Sequence, residues 1–164
     1  MRLSLVAALL PALSLAARTP RVTANELHTY IPGNSPIDYC QVPPPKDDLI
    51  SIDRLELSPN PPERGQNLTI YAEGSIKEDI QQGAYVDIIV KYGLIRLLHT
   101  TLDLCEQTEK IDLACPIEAG PLALERVVEL PKVIPPGKYS VQAQVFTEDG
   151  EQITCLSAHV QFTS

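Results

Sequence analysis

A chain of 164 residues and 18.0 kDa is long enough for one domain with a sizeable core. Apolar residues at 44% and charged residues at 21% exclude disorder as the main state. The net charge of −8 and pI near 4.8 exclude nucleic acid as an expected partner, and they should repel anionic lipid surfaces near neutral pH.

Met1-Arg2 opens the chain with a positive charge, and an uncharged, mostly apolar run follows from Leu3 to Ala17. The run is shorter than the ~20 residues of a membrane span. It is interrupted by Pro11 and ends in small residues. This is the pattern of a cleaved secretory signal over residues 1–17. Residues 18–37, with Pro20, Pro32, Gly33 and Pro36, are expected to form a loose arm or short pro-segment. The domain proper then spans 38–164.

A secretory route bears on the four cysteines, Cys40, Cys105, Cys115 and Cys155. None has C-x-x-C spacing, so no zinc or redox site is expected. Two disulfides are expected instead, with three connectivities open. Cys105–Cys115 closes the shortest loop at the lowest entropic cost, which leaves Cys40–Cys155. The sequon Asn67-Leu68-Thr69 marks Asn67 as a glycosylation acceptor in the same compartment.

Strands follow from alternation. Leu49 to Leu57 is the first, and the cluster from Ser58 to Gly65 ends it with three prolines. Leu68, Ile70 and Ala72 share a face, as do Ala84, Val86, Ile88 and Val90. Leu94 to Leu98 follows Gly93. If Arg96 faces water, Ile95 and Leu97 face inward and the parity change implies a bulge at Gly93. Tyr139, Val141, Ala143 and Val145 form the clearest alternation. Asp149-Gly150 then marks a hairpin turn, and Leu156, Ala158, Val160 and Phe162 close the series. Residues 76–82 could form one helical turn. Many short antiparallel strands with one apolar face make an all-β sandwich of two sheets.

No catalytic constellation emerges. His28, His99 and His159 fall on the arm, after a strand and on a polar strand face. No nucleophile motif accompanies them. Asp47-Asp48 and Glu148, Asp149 and Glu151 are turn carboxylates. No metal or cofactor is implied. The inward face is aliphatic with few aromatics, which fits either a packed core or sheets splayed around an apolar cavity.

Several blocks resemble the fungal phosphatidylglycerol/phosphatidylinositol transfer proteins. They include Ser58-Pro59-Asn60-Pro61-Pro62, Gly65-Gln66-Asn67-Leu68-Thr69-Ile70, Gly83-Ala84-Tyr85-Val86-Asp87 and Gly93-Leu94-Ile95-Arg96-Leu97-Leu98. Asp103-Leu104-Cys105-Glu106, Cys115-Pro116-Ile117, Ile134-Pro135-Pro136-Gly137-Lys138-Tyr139 and Ile153-Thr154-Cys155-Leu156 are similar as well. The wider group is the Niemann–Pick type C lumenal family, whose shared unit is the ML lipid-recognition domain.

The resemblance implies an immunoglobulin-like sandwich with a lipid cavity between its sheets, and the same two disulfides. It implies transfer of a phospholipid or sterol between membranes, without chemistry, by a monomer in the vacuole lumen or outside the cell. The cavity lining it implies is Val86, Ile88, Val90, Val141, Val145, Leu156, Ala158 and Val160. The mouth falls near Val133, Ile134 and Pro135. The alternative reading is a secreted sandwich that binds a protein partner, which an exposed apolar strand edge would favour.

Overall fold

The computed structural model describes residues 30–42 and 44–163. The signal segment, the arm as far as residue 29 and His28 lie outside the described residues. The elements are β1 (Ile37–Tyr39), β2 (Ile50–Ser58), β3 (Asn67–Ile76), β4 (Tyr85–Tyr92), β5 (Ile95–Asp103), α1 (Leu104–Glu109), β6 (Gly120–Glu129), β7 (Gly137–Phe146) and β8 (Gln152–Phe162). They form two antiparallel sheets, β1-β8-β7-β4-β5 and β2-β3-β6, as the alternation predicts.

Four local expectations need correction. Gly93 sits in a two-residue hairpin turn with Leu94, since Tyr92 pairs with Ile95. Its φ of 55° is cheap only for glycine at that turn position, so the chain reverses there. The bulge lies instead between Val90 and Lys91, opposite Leu97. Ile95 and Leu97 are exposed, because no strand of the other sheet covers this end of β5. Residues 76–82 contain no helix, since Ile80 exchanges hydrogen bonds with Ile117 in an isolated bridge. The segment 31–36 is not loose. Ile31 is buried, and the carbonyls of Pro32 and Asn34 accept the N–H groups of Leu55 and Leu57.

Two elements go beyond the alternation reading. Helix α1 is capped by Asp103, whose carboxylate accepts the Glu106 N–H at 3.0 Å. Strand β6 places Leu122, Leu124 and Val128 inward, but Arg126 breaks the apolar series and hides it.

One end of the sandwich is shut. Ile76, Ile80, Ala84, Ile117 and Ile153 form a buried cluster there, with Ile50, Leu104, Leu113 and Leu122 packed around it. The Cys105–Cys115 bridge adds to this plug, and Cys40–Cys155 joins the segment after β1 to β8. Both pairings agree with the loop-length argument. At the opposite end lie the 59–66 turn, the β4–β5 turn and the 130–136 loop.

Candidate functional site

The inner face of the five-stranded sheet is built in rows that cross its strands. One row is Ile37, Ala158, Val141, Val90 and Leu98, on β1, β8, β7, β4 and β5 in turn. The row nearer the open end holds Val160, Tyr139, Tyr92 and Ile95. Leu57, Leu68 and Ile70 face them from the three-stranded sheet. The two sets do not meet. Between them lies a cavity of about 550 Å³ whose lining is apolar throughout.

Among the lining residues Tyr139 has the one polar side-chain atom, and its hydroxyl is engaged elsewhere. It donates to the Pro135 carbonyl at 2.9 Å, so the ring alone serves the cavity. The cavity reaches the surface beside Pro131, which both lines it and is exposed. The loop around this opening is tethered. The Arg64 guanidinium donates to the carbonyls of Ile134 at 3.0 Å and Thr163 at 2.7 Å.

A second apolar cavity of about 230 Å³ lies nearer the shut end, lined in part by Ile52, Ala72, Val145 and Leu156. Tyr39 and Leu55 stand between the two, packed against Ile37 and Ile70 on one side and Ile52, Ala72 and Leu156 on the other. The buried phenol of Tyr39 has its pKa raised above the ordinary value. Burial is the main cause, the Ile52 N–H opposes it, and the charges of Asp48 and Asp53 add to it.

The expected lining residues divide by position. Val90, Val141, Ala158 and Val160 line the large cavity, and Ile134 lines it from the 130–136 loop. Val145 and Leu156 line the small one. Val86 and Ile88 share the inner face but border neither cavity, and Val86 is buried. Val133 is 90% exposed and points away, and Pro135 contributes its carbonyl rather than a wall. The alternation already marks Leu68, Ile70, Tyr139 and Phe162 as inward, and all four line the large cavity, with Leu57 beside them from the partly alternating β2. Ile37, Pro62 and Leu130 join them from segments without a strand signal. His99 and His159 both lie on the outer face of the five-stranded sheet.

A two-sheet sandwich with an apolar hollow and one open end can be compared with known proteins. Residues 34–162 match the family model described as ML domain. The chain belongs to that family. It is 48% identical to the phosphatidylglycerol/phosphatidylinositol transfer protein of Neurospora crassa over 167 aligned positions, covering 99% of this chain and 94% of the relative. It is 52% identical to the protein of the same name from Aspergillus oryzae, over 78% of this chain and 72% of the relative. Among solved structures, a Niemann–Pick type C2 protein from the Japanese carpenter ant superimposes with a TM-score of 0.57 at 12% identity. The superposition covers 77% of this chain and 98% of that one, and it shows a shared fold.

Proposed function

We propose that this ML-domain protein carries a phospholipid of the phosphatidylglycerol or phosphatidylinositol type, or a sterol, between membranes, and does so without covalent chemistry. The observation that carries the reading is the 550 Å³ apolar cavity with its opening at Pro131. An apolar occupant withdraws its hydrocarbon from water there, and each buried CH₂ contributes about 0.8 kcal/mol. A bilayer interior offers a similar gain, so exchange between carrier and membrane is close to neutral. The names of the fungal relatives support a phospholipid as the cargo.

The two disulfides and the exposed sequon at Asn67 support a secretory destination, the vacuole lumen or the outside of the cell. A second reading, capture of a protein partner, is favoured by the exposed apolar edge at Ile95 and Leu98, but it leaves the cavity without a role.

Mass spectrometry of an organic extract of the purified protein tests the proposal, together with transfer of labelled phosphatidylglycerol between vesicles. Stoichiometric lipid and a protein-dependent transfer rate are expected. An extract free of lipid and a transfer rate equal to the protein-free rate would remove the carrier reading.

A further inference from the structure

The outer faces of the two sheets differ in charge: the three-stranded one is acidic, and the cations of the five-stranded one gather toward the open end. On the three-stranded sheet, Glu56, Glu73, Glu125 and Glu129 stand outward, and the cation among them, Arg54, is paired with Glu56 at 2.5 Å. On the five-stranded sheet one outward row reads His159, Ser140, Lys91 and Arg96 across β8, β7, β4 and β5. His99 and Lys138 lie in the adjoining rows.

The segments 88–102, 130–147 and 152–163, which supply most of this sheet, contain no Asp or Glu. The carboxylates that do reach the face are Asp87, which accepts from the Thr101 hydroxyl at 2.5 Å, and Asp103, which caps α1, both toward the shut end, and Asp38 on the far edge strand β1. Among the described residues Lys91, Arg96 and Lys138 make no ion pair. The net charge of −8 is therefore unevenly placed, and the end of this sheet that holds Lys91, Arg96 and Lys138 carries no carboxylate of its own.

The basic row ends at the β4–β5 turn. There Leu94 is fully exposed, and Ile95 and Leu97 are more than half exposed. Val133, on the loop that borders the cavity opening, is exposed too. The β4–β5 turn and that loop are bound together. The Gly93 N–H donates to the Lys138 carbonyl at 2.9 Å, and the Tyr92 hydroxyl donates to the Pro136 carbonyl at 3.0 Å.

We propose that this corner, the Lys91–Arg96 row with the Leu94 turn at its tip, docks the chain on an anionic bilayer with the cavity opening toward the lipid. The proposal rests on the carrier reading and adds an orientation to it. The cations supply attraction to anionic headgroups, and the apolar tip enters the boundary between headgroups and acyl chains. Charge complementarity selects a lipid surface of negative sign, and continuity with the opening selects a membrane over a protein. The sequon at Asn67 lies on the other sheet's outer face, opposite Glu129.

The test is co-sedimentation with vesicles of phosphatidylcholine alone and of phosphatidylcholine with phosphatidylglycerol, at low and high salt. The proteins compared are wild type, the pair Lys91→Glu/Arg96→Glu, Leu94→Asp, and the control pair Lys46→Glu/Lys110→Glu, which changes net charge equally but lies near the shut end. Thermal unfolding and extracted lipid are recorded for each. Wild type should bind the anionic vesicles more tightly, and salt should weaken that binding. The Lys91/Arg96 pair should lose about tenfold or more, given the attraction of each cation to an anionic surface, and the control pair should not. Leu94→Asp should weaken binding at both salt levels.

Equal binding to both vesicle types would overturn the proposal, as would equal losses in the two charge pairs. Salt-sensitive self-association of the wild type without vesicle binding would assign the face to another copy's acidic surface and would overturn it too. Any of these with extracted lipid still stoichiometric leaves the carrier reading standing, whereas absence of lipid throughout removes that reading itself.

Discussion

The hydroxyl of Tyr39 accepts the N–H of Ile52 at 2.8 Å, and this bond ties an edge strand of one sheet to an edge strand of the other. It lies where β2 is irregular, between Ile52 and Arg54, and it lies on the boundary between the two cavities. Tyr39→Phe keeps the ring and leaves a part-buried donor without its partner. The loss should be about 1–3 kcal/mol by chemical denaturation at neutral pH. The raised phenol pKa adds a signature. Below the ordinary value near 10 the contribution of Tyr39 is complete, and it is lost as pH rises through the higher folded value. Stability of the wild type should therefore fall above pH 10 more steeply than that of Tyr39→Phe. Parallel slopes would show that this phenol does not titrate on unfolding.

Val90 and Ala158 stand one on each side of Val141 in a single row of the cavity wall. Val90→Phe and Ala158→Phe should each lower lipid transfer while leaving the unfolding midpoint of the lipid-free protein within a few degrees. In a close-packed core the added ring would strain its neighbours by about 1–3 kcal/mol. In the cavity it takes space that the ligand would use. A large fall in midpoint with transfer preserved would mean that the hollow is closed in solution.

The opposite response belongs to the shut end. Ile153 is fully buried among Ile76, Ile80, Ala84 and Ile117. Ile153→Ala should cost about 2–5 kcal/mol, read from denaturant midpoints, and the folded fraction should carry as much lipid as wild type. Reduced lipid content in that fraction would place the ligand deeper than the geometry does.

The two disulfides differ in the chain they constrain. Cys40–Cys155 spans 115 residues and Cys105–Cys115 spans 10. In the loop-entropy account the long bridge contributes about 4.7 kcal/mol and the short one at most about 3. The double alanine variant of the first pair should therefore unfold at clearly lower denaturant than that of the second. The reverse order would make local packing around Cys105 the larger effect.

Strands that alternate over a full inner row were legible in the sequence. Tyr139 to Val145 and Leu156 to Phe162 occupy the positions their pattern implies. Strand β6 was not, because Arg126 stands inward, between Leu124 and Val128, and reaches the Gln107 carbonyl at the edge of the sandwich. Ile95 and Leu97 misled for a related reason. Alternation reports which face a residue shares, and coverage by the other sheet decides whether that face is dry. A hollow and a packed core have the same alternation, so only the spacing of the two sheets distinguishes them. The docking corner was hidden by net charge, a sum that erases which sheet each charge occupies.

The plug of isoleucines closes one end of the sandwich, and the hollow opens toward the other, beside Pro131. A molecule that enters tail first through that opening leaves head first, along the track it came by, without turning round inside. Its polar head stays at the threshold for the whole journey, and the walls meet only hydrocarbon. Discrimination between cargoes with the same tails therefore falls to the few residues at the doorsill, and swapping that rim alone should re-address the carrier to a different lipid while its interior stays untouched.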